Sequence, residues 1–282
     1  MFPIIEKVDL GNKVFGFVVK APRIAAKAQP GQFFIIRQGD GYERIPLTIA
    51  DYDRAGGTIT TVFQVVGAST LALSTLEAGD EVADMVGPLG IAAEIGTPGK
   101  VAMVGGGVGV APVYPIARAM LEAGNEVISI IGARSKDLLF WEDKMSSASS
   151  RLLVATDDGS YGHAGFVTTL LEDLLKAEDI AVVWAIGPMV MMRAVSGMTK
   201  PYGVKTMVSL NPIMLDGTGM CGACRELVGE EVKFACVDGP AFDGHKIDFA
   251  LAMQRAAMFK ENETAAMQAF EARLAGGTCR CQ

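Results

Sequence analysis

The chain has 282 residues, half of them apolar and a fifth charged, with a formal net charge of −7. That length accommodates two domains and a small appendage, and the composition supports a good core. A net acidic balance argues against nucleic acid or an anionic membrane surface as partner. The N-terminus, MFPIIEKVDL, carries acids and no basic flank before an apolar run. It therefore does not read as a signal peptide, and a cytoplasmic location is expected. Val101 to Ala117 and Ile180 to Met192 carry no charge. Glycines and prolines break the first and the second is too short, so no membrane span is expected.

The first hundred residues read as short β-branched strands divided by turns. KVFGFVVKA, GQFFIIRQ, GGTITTVFQVV and DEVADMVGP are punctuated by Gly31, Gly56, Gly57, Gly79 and Gly90. Strands at this spacing predict an antiparallel β-barrel. Within it, RIPLTIAD (Arg44 to Asp51) sets an arginine, a proline and a threonine in one strand, and VVGAST (Val65 to Thr70) adds a glycine turn with two hydroxyls. Arg44 suits a phosphate, Thr48 the polar edge of a flavin, and Gly67, Ser69 and Thr70 a pyrophosphate.

At Lys100 the rhythm changes. VAMVGGGVG is a buried strand entering a glycine loop, and a helix follows through Leu121. EVISIIGAR, RLLVATDD and VVWAIGP read as further strands with helical patterns between them, and KTMVSLN as a last one. This alternation predicts an α/β unit built on a doubly wound parallel sheet. GGGVGVAP (Gly105 to Pro112) leaves a strand and opens a helix, which lets a pyrophosphate approach backbone N–H groups. TDDGSYG (Thr156 to Gly162) and IGPMVMM (Ile186 to Met192) fall where parallel strands end, on the edge where ligands bind. Asp157 and Asp158 can accept from ribose hydroxyls and repel a 2′-phosphate, which favours NADH over NADPH. Arg134 argues the other way, and both acids are also ordinary turn formers. Met191 and Met192 read as packing residues. Neither His163 nor His245 has a partner that implies acid–base catalysis, and no catalytic side chain is expected.

The five cysteines are Cys221, Cys224 and Cys236, then Cys279 and Cys281 at the tail. An odd, late-clustered set without an export signal points to metal chemistry rather than disulfides. The run DGTGMCGACRELVGEEVKFAC has the frame Asp216-x4-Cys221-x2-Cys224-x11-Cys236. Plant-type [2Fe–2S] proteins use C-x4-C-x2-C and a distant cysteine, so this is that frame with aspartate first. A structural zinc held by three cysteines and an acid or a tail cysteine is the alternative, and Asp216 also suits the start of a turn. A helix after Asp248, closed by Gly276 and Gly277, is expected to dock on a partner or on the first domain through Met253, Ala256, Ala257 and Met267, an ordinary intrachain core helix being equally consistent with these residues.

RIPLTIAD, GGGVGVAP, TDDGSYG, DGTGMCGACR and FACVDGPAFDGH, in this order over nearly the whole chain, resemble the ferredoxin–NADP reductase superfamily. Within it they are similar to the branch holding the dihydroorotate dehydrogenase B electron-transfer subunits and the small subunits of NADH-dependent reduced ferredoxin:NADP+ oxidoreductases. The resemblance implies FAD contacts at Arg44, Pro46, Leu47, Thr48, Gly67, Ser69 and Thr70. It implies NAD(H) contacts at Gly105, Gly106, Gly107, Gly109, Asp157 and Gly187. It implies a [2Fe–2S] cluster on Asp216, Cys221, Cys224 and Cys236.

The division then expected is an FAD-binding barrel over residues 1–98, an NAD(H)-binding domain over 99–208, a cluster segment over 209–248, and a C-terminal helix and tail over 249–282. The implied function is electron transfer between NAD(H), FAD and the cluster in a heteromeric, electron-bifurcating transhydrogenase-type complex. Its larger flavin and iron–sulfur partner would be similar to the glutamate synthase small subunit, with ferredoxin reached indirectly. Aspartate at the first cluster position separates this reading from a dihydroorotate dehydrogenase B subunit. A zinc-stabilised NAD-binding regulator is the non-enzymatic alternative.

Overall fold

A computed structural model of the chain describes residues 1–275. Gly276, Gly277, Cys279 and Cys281 lie outside the described residues. The first module runs β1 (Phe2–Asp9), β2 (Val14–Lys20), a short α1 (Pro22–Ala25), β3 (Phe33–Arg37), β4 (Ile45–Thr48), β5 (Asp51–Asp53) and β6 (Thr58–Gln64). It ends with α2 (Ala68–Ser74), β7 (Glu81–Val82) and β8 (Asp84–Leu89). Its strands form two antiparallel sheets, ordered β5-β6-β2-β1-β7 and β4-β3-β8. Phe17 and Val19 from one sheet and Phe34 and Ile36 from the other share one buried core, which wraps the two sheets into the expected barrel.

The second module runs β9 (Lys100–Gly106), α3 (Val110–Glu122), β10 (Glu126–Ala133), α4 (Glu142–Ser147), β11 (Arg151–Thr156), β12 (His163–Ala164), α5 (Val167–Ala177), β13 (Val182–Ile186), α6 (Met189–Thr199) and β14 (Lys205–Ser209). β9 through β14 line up in the order β12-β11-β10-β9-β13-β14, all parallel. Side chains alternate across β9 with the two-residue period of a strand. Val101 and Met103 pack under α3 and α4, while Ala102 and Val104 pack under α5 and α6. Both faces are covered, which is why these strands read as continuous apolar runs. The strand order reverses between β9 and β13, and a ligand crevice is expected at that switch point.

Beyond β14 come a hairpin of β15 (Arg225–Val228) and β16 (Glu231–Phe234), then β17 (Ala241–Asp243), α7 (Phe249–Ala256) and α8 (Lys260–Ala275). β17 pairs antiparallel with β14, so the cysteine segment is stitched to the parallel sheet. It is also wedged against the barrel: Ile91 N–H donates to Gly239 O at 2.6 Å, and Gly217 lies on Leu89 and Ile35. Asp248 caps α7 by accepting from the Leu251 N–H at 2.9 Å. The single helix expected after it is two. The break over residues 257–259 leaves α7 against the hairpin and lets α8 cross to α2 on the barrel, with Phe270 as its buried contact. No described helix is long and apolar enough to cross a membrane.

Candidate functional site

A cleft of about 1310 Å³ runs along the carboxyl edge of the parallel sheet. That exceeds the roughly 300–1,000 Å³ of an ordinary small-molecule pocket. Ile45, Pro46, Leu47 and Thr48 of β4 and Thr70 of α2 form its barrel side. Gly106, Gly107, Gly109, Arg134, Asp157 and Gly187 form its sheet side. Met253, Ala256, Ala257, Lys260 and Glu263 close the far wall from α7 and α8. Nine residues expected to touch a nucleotide thus line one space. Arg44, Gly67, Ser69 and Gly105 do not line it. Arg44 precedes β4 on the exposed surface, Gly67 N-caps α2, and the Ser69 hydroxyl donates to Glu43 at 2.8 Å. Gly105 is buried beneath the loop against Val110. The Thr70 hydroxyl accepts from the Val66 and Gly67 N–H groups, so the segment read as a turn is the first turn of a helix.

A tight turn over Gly107–Gly109 leads into α3 and takes up the Val110 N–H, and no side chain caps either start, so an anion in the cleft meets the backbone of the glycine loop itself. Gly109 is there because the loop runs against the end of β13: an added Cβ would lie 2.1 Å from Ile186 O. The two acids after β11 divide their work. Asp157 lines the cleft, whereas the Asp158 carboxylate accepts from Ser160, which holds it below the usual carboxylate range. Met192 is core, as expected, but Met191 both packs on Gly106 and lines the cleft. Phe166 and Val190, exposed and lining the cleft, were missed; Val190 lies inside IGPMVMM and Phe166 four residues past TDDGSYG, which was the available signal. His245 bonds Thr199 at 2.9 Å and is structural.

The modules are also joined outside this cleft. Asp51 of the barrel accepts from Arg118 of α3 at 2.7 Å and from Lys144 of α4 at 3.4 Å. The guanidinium groups of Arg54 and Arg118 lie 4.7 and 5.5 Å from the Tyr52 ring. This fixes the angle between barrel and sheet, and hence the width of the cleft.

The cysteine loop turns through Gly217, Gly219 and Gly222, all at positive φ, where a side chain would strain the backbone. Cys224 and Cys236 are buried neighbours, with the Cys236 N–H donating to Cys224 Sγ at 3.4 Å, while Cys221 is exposed. Burial, reinforced by Cys224, pushes the Cys236 thiol up to about 12. The Asp216 carboxylate accepts from the Thr218 and Cys221 N–H groups, each at 2.8 Å. Those bonds, Thr218 foremost, hold it below the usual range. This is the turn-forming geometry, and it also leaves a carboxylate tied to the N–H of a cysteine. Among the described residues no three Cys, His, Asp or Glu side chains lie at metal-site spacing. The donor set nevertheless fits a cluster: Cys224 and Cys236 are buried side by side, and the glycine-rich loop before Cys224 brings in Cys221 and the carboxylate of Asp216. Burial also raises the carboxyl of Glu226 in β15, against the opposing charge of Arg255.

Residues 103–197 match the oxidoreductase NAD-binding domain, and residues 211–248 match the iron-sulfur cluster binding domain of dihydroorotate dehydrogenase B. A dihydroorotate dehydrogenase B (NAD(+)) electron transfer subunit homolog of Thermotoga maritima is 45% identical over 267 residues, 95% of this chain and 94% of the relative. The chain belongs to the dihydroorotate dehydrogenase B electron-transfer subunit family. Another relative, the uncharacterized protein in the adh 3′ region of Clostridium beijerinckii, is 50% identical over 93% of this chain and 92% of its own length. Among solved structures, a chain of the NADH-dependent reduced ferredoxin-NADP oxidoreductase studied for flavin-based electron bifurcation superposes with a TM-score of 0.92. It is 43% identical and covers 96% of this chain and 98% of its own.

As a member of this family the chain is an oxidoreductase subunit that transfers electrons with NAD(H), FAD and an iron–sulfur cluster. The barrel, the parallel sheet and the C-terminal cluster segment of electron-transfer subunits are the three parts described above.

Proposed function

We propose that the chain is the small subunit of an NADH-dependent reduced ferredoxin:NADP+ oxidoreductase-type complex, passing electrons between NAD(H) and a [2Fe–2S] cluster by way of FAD. The observation that carries this reading is the single cleft shared by β4, the glycine loop and α7, with the cysteine loop on the far side of α7. Pro46, Leu47, Thr48 and Thr70 would seat the flavin. Arg44, Gly67 and Ser69 stand close enough in sequence to serve its phosphates at the rim. Gly106, Gly107, Gly109 and Gly187, with Gly105 beneath them, would frame NAD(H), and Asp157 its ribose. Asp216, Cys221, Cys224 and Cys236 would hold the iron.

When bound, the flavin supplies the exchange between two-electron nicotinamide chemistry and the one-electron chemistry of a cluster. The protein's own work is orientation: the backbone of the glycine loop for a pyrophosphate, apolar walls that exclude water, and a fixed interdomain angle. No side chain in the cleft needs to move a proton. The partner we infer is a larger flavin and iron–sulfur subunit. Leu215, Met220 and Val237 are 53%, 88% and 40% exposed around the cysteine loop, an apolar rim suited to a partner that takes electrons there.

A dihydroorotate dehydrogenase partner is the second reading, favoured by the names of the relatives; Asp216 in a position that resembles a cysteine site of those subunits favours the first. Anaerobic native purification tests both. We expect FAD, about two irons per chain, bleaching by NADH, and a co-purifying iron–sulfur flavoprotein. A dihydroorotate dehydrogenase barrel as partner would decide for the second reading, and zinc without flavin would sink both.

A further inference from the structure

Helix α7 has two different sides. Met253, Ala256 and Ala257, three and four residues apart, share one side and line the cleft. Arg255 leaves the helix from the other side, half-buried, and its Nη2 donates to the Ala223 carbonyl at 3.1 Å. Ala223 is 32 positions away in sequence, inside the Cys221–Cys224 turn and directly before Cys224. The helix that walls the nucleotide cleft therefore grips the cysteine loop with its opposite side.

We infer that Arg255 is a positioning residue for the cluster, which fixes the Cys221–Cys224 turn to α7 and sets the reduction potential of the iron it carries. The inference rests on the cluster assignment proposed above. Two physical effects support it, and they have the same sign. A trans peptide is planar, with its C=O and the following N–H pointing opposite ways. Anchoring the Ala223 carbonyl on α7 thus directs the Cys224 N–H away from the helix and denies that peptide a second orientation. Hydrogen bonds to cluster sulfurs and nearby net charge are what tune such potentials. The guanidinium is also permanently charged, and a positive charge beside a centre that gains an electron favours its reduced form. Losing either effect makes the cluster harder to reduce. A pin that merely held the fold together would alter melting and iron content while leaving the potential of intact clusters unchanged.

The test is a redox titration, followed by electron paramagnetic resonance, on the complete protein purified anaerobically, wild type beside R255M, R255Q and R255K. We expect R255M to retain iron, with altered g values and an equilibrium constant for cluster reduction about tenfold lower. For a one-electron couple that is about 59 mV. R255K should restore most of the shift, because it keeps the charge and a donor. R255Q should lie between, because it keeps a donor alone. If R255M does not accumulate, the R255Q and R255K pair carries the same comparison. Wild-type potentials and g values in every soluble variant would overturn the role of Arg255. Wild-type protein without iron would overturn the cluster assignment instead, and this inference with it.

Discussion

Replacing Gly109 by alanine probes the cleft at its tightest point. An ideal Cβ on Gly109 meets Ile186 O at 2.1 Å, Ile186 C at 2.6 Å and the Gly187 Cα at 2.7 Å. All three are backbone atoms of the β13 end, so no side chain can rotate away. Relief requires the glycine loop and the end of β13 to part by roughly the difference from an ordinary contact, on the order of 1 Å in a close-packed interior. Overpacking of this kind costs about 1–3 kcal/mol, and an unyielding backbone places G109A at about 3. At about 2–4 °C per kcal/mol for a chain approaching this size, the melting temperature should fall by roughly 6–12 °C. NADH affinity should fall by more than about tenfold, because the separated segments are the two that frame the dinucleotide. G107A is the control. Its Cβ meets nothing within 4 Å, and only its φ of +54° is costly, at about 1–2 kcal/mol. Differential scanning calorimetry and NADH titration of both variants decide the matter. If G109A melts and binds like G107A, the close approach is not what constrains the loop.

Three further outcomes are expected. D157A should narrow the preference for NADH over NADPH by roughly fivefold to tenfold in kcat/KM, about 1–1.4 kcal/mol and the net value of one solvent-accessible hydrogen bond, while D158A, whose carboxylate is spent on Ser160, should leave it unchanged. D216A should lose iron or shift the cluster potential, D216C should retain iron at a lower potential because thiolate donates more strongly, and joint replacement of Cys279 and Cys281 should change neither; iron assay with potentiometry reads all three. Glu178 accepts from Lys100 at 2.7 Å and from Arg151, and Lys100 foremost holds its carboxyl below the usual range. A carboxyl with a depressed folded-state pKa contributes stability above its unfolded pKa and loses that contribution as pH falls through the folded value. E178Q should therefore melt lower at neutral pH and show a flatter acid limb in a melting-temperature profile.

Much of this was legible because the relevant signals are local. Continuous apolar runs such as Val101 to Val104 identify strands buried on both faces, and the glycine loop and TDDGSYG fall at their carboxyl ends as the parallel order requires. Short pairings carried too little pattern to announce themselves. β12 has two residues and β17 three, and both exist only because a neighbouring strand offers its edge. Gly67 to Thr70 read as a loop because a glycine opens it, yet the Thr70 hydroxyl accepts from the Gly67 N–H and starts a helix. The least legible feature was the two-sidedness of α7. Its alanines and methionines announced packing, but nothing in the spacing of Arg255 and Ala223 foretold that they meet across 32 residues.

The return of α8 to α2 makes the chain a closed loop of parts. The barrel touches the sheet through Asp51, the sheet is sewn to the cysteine segment through β14 and β17, and the last described helix comes back to the barrel where it began. In a molecule hinged at one point, a clamshell motion opens the cleft at no cost to other contacts. Here the same motion must also peel α8 from α2. The cleft lined by Phe166 and Val190 is therefore bounded by walls that cannot part without breaking a packed contact elsewhere in the chain.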